Sequence, residues 1–310
     1  MTMKSGPAAA AAGAPRPSSG RRGEDRIYVS TGAFKTRDLG QILDVCLREG
    51  VHRLELSSGT AFSEHLLDLV RRSRGTPMRF LVHNYFPPHR IPFVLNLAST
   101  DPQALVRSRD HCRTAIALAA EVGAPFFSVH AGAAMNARPE DLGQPQTHLV
   151  HGDVRRAYEL FVESVSELAR AAAAAGVSLL IENHVVAPFN LIEGENRFLF
   201  ASTAEDILRL MEDVGAPNLG LLLDVGHLKV TAASLGFDPR RLVERVAPFV
   251  RAFHLSDNDG KSDQNLPFGR EAWFMDLLAD FPEATYIIEA YRLEPPEIRA
   301  CREAVLDAVQ

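Results

Sequence analysis

The chain has 310 residues, 46% of them hydrophobic and 23% charged, with a formal net charge of −6. Those are the proportions of an ordinary soluble globular protein, long enough for one large barrel-type domain or two ordinary ones. The acidic balance argues against a nucleic-acid partner, and no apolar run approaches the roughly 18 residues that would suggest a membrane span.

Residues 1 to about 25 are rich in Ala, Gly, Pro and Ser, which predicts a disordered tail. The Ala run is too weakly apolar for a signal peptide, and a transit peptide is the alternative for this segment. Cys46, Cys112 and Cys301 are widely separated, a pattern of neither a disulfide framework nor a Cys-rich zinc site, so a reducing, cytoplasmic location is expected.

From Arg26 onward, strand-like runs alternate with helix-length segments. IYVST (27–31) precedes a helical pattern over 36–50 with Gly50 as its stop signal, and RLELSSG (53–59) precedes another over 61–75. RFLVHNYFPP (79–88) opens an irregular stretch to about Ser99, after which Asp101-Pro102 reads as N-cap and first residue of a helix to about Glu121. FFSVHAG (126–132) leads into a polar loop to about Val150, and an amphipathic helix runs from Asp153 to Ala175, stopped by Gly176. SLLIENH (178–184), a loop of roughly 18 residues and a capped helix over 202–215 follow. The apolar run Gly220–Leu223 ends in Asp224, with His227 three residues on, and a helix is predicted from Pro239 to about Ala247. RAFHLSD (251–257), a glycine-bearing loop, a helix from about Arg270 to Asp280, TYIIEAY (285–291) and a final helix from Glu294 complete the chain.

Eight strand–helix units imply a parallel sheet, because each crossover needs a helix, and eight favour closure into a (β/α)8 TIM barrel over residues 26–310. No Gly-rich dinucleotide or phosphate fingerprint follows the first strand, which argues against an open doubly wound sheet. No strong internal repeat is visible.

At or just past the C-terminal ends of these strands stand Glu55, His83, His130, Glu182, Asp224 with His227, His254 with Asp257, and Glu289. In a barrel those ends converge on one face, where sites in this fold are built. A carboxylate at the tip of a buried strand is costly unless paired, and a divalent cation is a partner that Asp224 and His227 can share; a solvated cap at the start of a loop is the other reading. Glu182, Asp224, His254 and Glu289 come from four consecutive strands and form the core candidate set. Three carboxylates and one imidazole suit Mn²⁺, Mg²⁺ or Co²⁺, with Zn²⁺ also able to bind. Added ligation by His83, His130 and His227 would favour Zn²⁺ and more than one ion.

The motifs E-N-H at 182–184, D-x-x-H at 224–227, H-L-S-D-N-D-G at 254–260 and I-I-E at 287–289 resemble those of the xylose isomerase-like TIM barrel superfamily of sugar isomerases, epimerases and apurinic endonucleases. The resemblance covers about residues 26 to 310. In its ketose 3-epimerase branch it implies one divalent ion on Glu182, Asp224, His254 and Glu289, with the two glutamates also acting as acid and base and His227 touching substrate. The arginine usual after the strand 7 histidine has no clear match, since Gly260 and Lys261 stand in that region. In the endonuclease branch the resemblance implies three zinc ions on nine ligands. Eight have counterparts in His83, His130, Glu182, Asp224, His227, His254, Asp263 and Glu289, and Asn265 stands where the ninth would be a histidine.

Three functions follow as expectations. The first is a metal-dependent isomerase or epimerase on a carbohydrate, with Glu182 and Glu289 transferring a proton beside a metal-stabilised enediolate. Glu55, Asn84, Asn183, His227, Lys229 and Lys261 are its candidate substrate contacts, and Tyr85, Phe86 and Trp273 could wall its pocket. The second is an apurinic endonuclease-like phosphodiester hydrolase, and the third a non-catalytic sugar-binding relative, against which retention of the four core residues argues. Barrels of this type often pair through their helical shells, which is compatible with a homodimer.

Overall fold

The structure, a computed structural model, describes residues 23–146, 148–149 and 152–310. Eight parallel strands close into a barrel in sequence order: β1 (Ile27–Ser30), β2 (Arg53–Leu56), β3 (Arg79–His83), β4 (Phe126–His130), β5 (Ser178–Glu182), β6 (Leu219–Asp224), β7 (Val250–Leu255) and β8 (Thr285–Ile288). Closure is made where Ile27, Tyr28 and Val29 pair with Tyr286, Ile287 and Ile288. The expected (β/α)8 TIM barrel is therefore the fold. The predicted tail falls outside the described residues as far as residue 22, and Glu24–Arg26 forms a single 3-10 turn ahead of β1.

Among the described residues, eight α-helices surround the strands: α1 (Leu39–Glu49), α2 (Leu66–Ser73), α3 (Pro102–Val122), α4 (Val154–Ala174), α5 (Ala204–Val214), α6 (Val225–Leu235), α7 (Pro239–Val246) and α8 (Pro295–Ala308). Their starts follow the capping chemistry of the sequence. Asp101 and Asp153 accept backbone N–H bonds at the first turns of α3 and α4, and Thr203 with Asp206 forms a capping box on α5. Because helices cover the outside and side chains fill the inside, the strands are apolar on both faces, and β6 is buried along its whole length. Each fully buried Leu or Ile in such a wall contributes about 1.5–3 kcal/mol.

The structure departs from the predicted elements in two places. Residues 225–235 form α6, where no helix was expected, and the predicted helix over 270–280 shrinks to a 3-10 segment, Met275–Asp280. The first departure arises because VGHLKVTAASL is buried on most sides and so lacks the polar stripe by which a surface helix is read. In the second, residues 270–274 are turns and a bend, and Phe281-Pro282 ends the 3-10 segment that follows them.

His111 ties the long loop after β3 to α3. Its Nε2 donates to the Asn84 carbonyl at 2.7 Å, and its Nδ1 lies 3.0 Å from His89 Nε2. Burial, opposed by that carbonyl, lowers the His111 pKa to about 4. The unfolded chain therefore binds a proton near pH 6.5 that the folded protein refuses until about pH 4. Stability from this group is complete above pH 6.5 and is lost on the way down to pH 4, by about 3 kcal/mol at 1.4 kcal/mol per unit. Urea unfolding between pH 7.5 and 4.5 should show a flatter pH dependence for His111→Gln than for the unchanged protein; equal slopes would discount the effect.

Candidate metal centre

The strand ends bring seven of the predicted residues into one buried cluster. His83, His130, Glu182 and Asp224 are each the last residue of β3, β4, β5 and β6; Glu55 and His254 are the penultimate residues of β2 and β7, and Glu289 follows β8 directly. Register sets their relative heights, with His130 beside Glu182 and Asp224 beside His254. Glu55, Glu182, Asp224 and His254 are fully buried, and His83, His227 and Glu289 nearly so. His130 is 41% open at its side chain and marks the mouth.

His254 lies at the centre. Its Nδ1 faces Glu289 Oε2 at 2.8 Å, Glu182 Oε1 at 3.2 Å and Asp224 Oδ2 at 3.9 Å. Its Nε2 donates to Glu55 Oε2 at 2.9 Å, so Glu55 sits behind the imidazole and orients it. Burial lowers the His254 pKa, but Glu289, Glu55 and Glu182 outweigh it and hold the ring well above its ordinary value. Burial raises the Glu55 carboxyl, partly offset by His254.

Asp224 has two tasks. Oδ1 accepts the backbone N–H of His227 at 2.7 Å as the N-cap of α6, and Oδ2 is buried without a hydrogen-bond partner. The cap and metal readings of this residue are thus compatible, one oxygen for each. A Cβ on Gly226 would lie 2.6 Å from Ser256 Oγ and 3.2 Å from Asp224 Oδ1, so a side chain there would press on this corner of the site. Burial raises the Asp224 pKa to about 7, with His227 opposing and Glu182 adding to the rise.

Around this core, Glu182 Oε2 lies 3.0 Å from His130 Nε2 and 3.4 Å from His83 Nε2. Burial would raise the Glu182 pKa, yet His130, His254 and His83 bring it well below the usual carboxylate range. His83 Nδ1 is held 3.0 Å from Ser128 Oγ. Burial brings His83 well below its ordinary value, whereas for His130 burial is outweighed by Glu182 and the pKa is raised. His227 Nδ1 donates to the Asn183 carbonyl at 2.9 Å, leaving Nε2 3.3 Å from Asp263 Oδ2. Against burial, Asp224 and Asp263 hold His227 well above its ordinary value.

The donor set fits a divalent cation. One ligand atom from each of Glu182, Asp224, His254 and Glu289 lies within 4.8 Å of the others, and the same holds for His83, His130 and Glu182 and for Glu55, His83 and His254. Glu55 Oε1, Asp224 Oδ2 and Asp263 Oδ1 are buried acceptors without a hydrogen-bond partner. Buried oxygens left this way are costly unless a cation or a ligand donor meets them.

Other predicted contacts are directed elsewhere. Asn183 takes the Asp224 N–H on Oδ1 and donates through Nδ2 to the Asp224 carbonyl, which joins the β5 and β6 tips. Lys229 Nζ donates to Asp257 Oδ1 and the Asn258 carbonyl, both at 2.6 Å, and Lys261 is exposed, its N–H donating to Asp259 Oδ1. Asn84 is buried beside His83 with Oδ1 unpartnered. Phe86 is in the core, the Tyr85 hydroxyl accepts the Leu95 N–H, and Trp273 packs on Phe274. One residue was overlooked in the sequence. The Tyr291 hydroxyl lies 3.4 Å from Glu289 Oε1, and an aromatic two positions past a strand-tip glutamate could have drawn notice.

The profile of the family described as xylose isomerase-like TIM barrel matches residues 47–304. No curated protein matches the sequence. Among solved structures, a D-tagatose 3-epimerase-like protein is 19% identical with a TM-score of 0.68, over 92% of this chain and 98% of that one. The 3-keto-D-glucoside 4-epimerase YcjR from E. coli is 13% identical with a TM-score of 0.65, over 91% and 98%. A Thermus thermophilus protein soaked with ZnCl2 is 23% identical with a TM-score of 0.59, over 92% and 97%. At these identities the likeness is one of fold. No helix among the described residues is long and apolar enough to cross a membrane.

Proposed function

This chain belongs to the xylose isomerase-like TIM barrel family, and on that premise we propose that it is a divalent-metal-dependent isomerase or epimerase of a carbohydrate. The observation that carries the reading is the convergence of Glu182, Asp224, His254 and Glu289 on one buried point. Those four residues would hold Mn²⁺, Mg²⁺, Co²⁺ or Zn²⁺, with His83, His130, His227 and Asp263 available as further ligands or as substrate contacts. When bound, the ion would polarise a substrate carbonyl and lower the pKa of the neighbouring C–H.

The chain's own groups do the rest. Glu182 and Glu289 approach His254 from β5 and β8, which are separate places on the ring, so a substrate held over the centre meets a carboxylate from each. One removes the proton, and the other or the same one returns it. Asn84 Oδ1 accepts a hydroxyl, and His227, its tautomer fixed by the Asn183 carbonyl, donates through Nε2 when protonated. The long loops after β3 and β4 stand over this face and bear on which sugar is accepted.

The groups that bear most on one another at this centre are carboxylates and imidazoles. The strongest charge interactions of Glu55, His83, His130, Glu182, Asp224, His227, His254 and Tyr291 come from carboxylates and imidazoles, with no Lys or Arg among them. The second reading, a metal-dependent phosphodiester hydrolase, is favoured by the additional His83, His130 and Glu182 group, which could hold a second ion. Incubation of the metal-loaded protein with a panel of unphosphorylated sugars in deuterated water should place solvent deuterium at one carbon. Incision of abasic DNA with no exchange into any sugar would replace the first reading with the second.

A further inference from the structure

Tyr291 is held from three directions. Its N–H donates to the Asn265 carbonyl at 2.8 Å, and Asn265 Nδ2 in turn donates to Asp263 Oδ2 at 3.0 Å. Its ring lies on Gly32, past the end of β1, where a Cβ would come within 2.7 Å of Tyr291 Cε1. The residue is 41% exposed, yet its hydroxyl faces Glu289 Oε1 at 3.4 Å. That distance is longer than a tight O–H···O bond, and a small rotation of the carboxylate closes it. The other oxygen, Oε2, lies 2.8 Å from His254 Nδ1, which itself is 3.2 Å from Glu182 Oε1 and 3.9 Å from Asp224 Oδ2.

We infer that Tyr291 is a positioning residue for the metal centre: its phenol engages Glu289 Oε1, so that Glu289 meets the ion through Oε2 alone and a coordination position stays free for substrate. The inference rests on the metal-binding reading above. A carboxylate with both oxygens free can clasp a cation through both, and a donor on one of them prevents this. Gly32 serves the same end, because any side chain there would lift the ring off its seat.

Titration with Co²⁺, followed by visible absorption, tests this without a known substrate. The unchanged protein should take up Co²⁺ with a defined d–d band. Tyr291→Phe should shift that band and change its intensity, with Co²⁺ affinity altered by about 10-fold, while metal-free thermal unfolding stays the same. Gly32→Ala, which displaces the ring and keeps the phenol, should move the band in the same direction. If Tyr291→Phe keeps the original band and an affinity within twofold, the inference fails while the metal reading stands. If the unchanged protein binds no Co²⁺, both fail together.

Discussion

Glu289→Gln is expected to abolish turnover, with kcat reduced by about 10²–10⁴-fold and metal binding weakened. The amide preserves the size of a side chain that is 6% exposed, so the loss can be read as chemistry rather than collapse. Two properties disappear together. An amide does not take up a proton near neutral pH, and its oxygen is a weaker ligand than the Oε2 that faces His254 Nδ1 at 2.8 Å. Calorimetric metal titration beside kcat on the sugar identified by deuterium exchange would separate the two losses. Full activity in this variant would remove the four-ligand arrangement.

Adding a divalent ion to chelator-stripped protein should raise the unfolding temperature by on the order of 10 °C. At a free concentration about 1,000 times Kd the ion contributes about 4 kcal/mol, and a chain somewhat larger than 250 residues shifts by about 2–4 °C per kcal/mol. The pH dependence has a definite sign. In the ion-free protein Asp224 keeps its proton up to about pH 7, chiefly because it is buried, and the ligand form is the carboxylate. Affinity should therefore fall as pH drops through 7 and level off above it, at least as far as Asp224 is concerned. His254, held well above its ordinary value, must also release its Nδ1 proton, which steepens the fall. Titrations at pH 6 and 8 with equal affinities, or no shift in unfolding temperature, would count against the centre.

How much of this could be read in the sequence differs by residue, for physical reasons. Glu182, Asp224 and Glu289 stood out because an ionisable group ending an apolar run of strand length is costly without a partner, and eight alternations of strand and helix implied a ring that gathers such ends. Helix α6 was hidden because burial removed its polar stripe. Asn183 looked free to meet substrate, yet its amide is matched to the backbone of Asp224, 41 residues away, and a side chain-to-backbone pairing between strands leaves no mark on composition or spacing. Glu55 behind His254, 199 residues apart, is a similar case: the sequence could show that both are strand ends but not that one orients the other. Tyr291 carries no signal of its own in the sequence, because a single phenol past a strand end reads as packing.

The closed ring has a consequence for how the protein acquires its site. Its candidate residues run from Glu55 in the second strand to Glu289 after the eighth; β8 pairs with β7, which carries His254, and the ring closes only when β8 also pairs with β1. Until that seam forms, Glu55 on β2 has no defined place behind His254 on β7, so the complete centre belongs to the finished barrel alone. A cation held by Glu182, Asp224, His254 and Glu289 would tie β5 through β8 together at their ends, slowing their separation rather than nucleating their pairing.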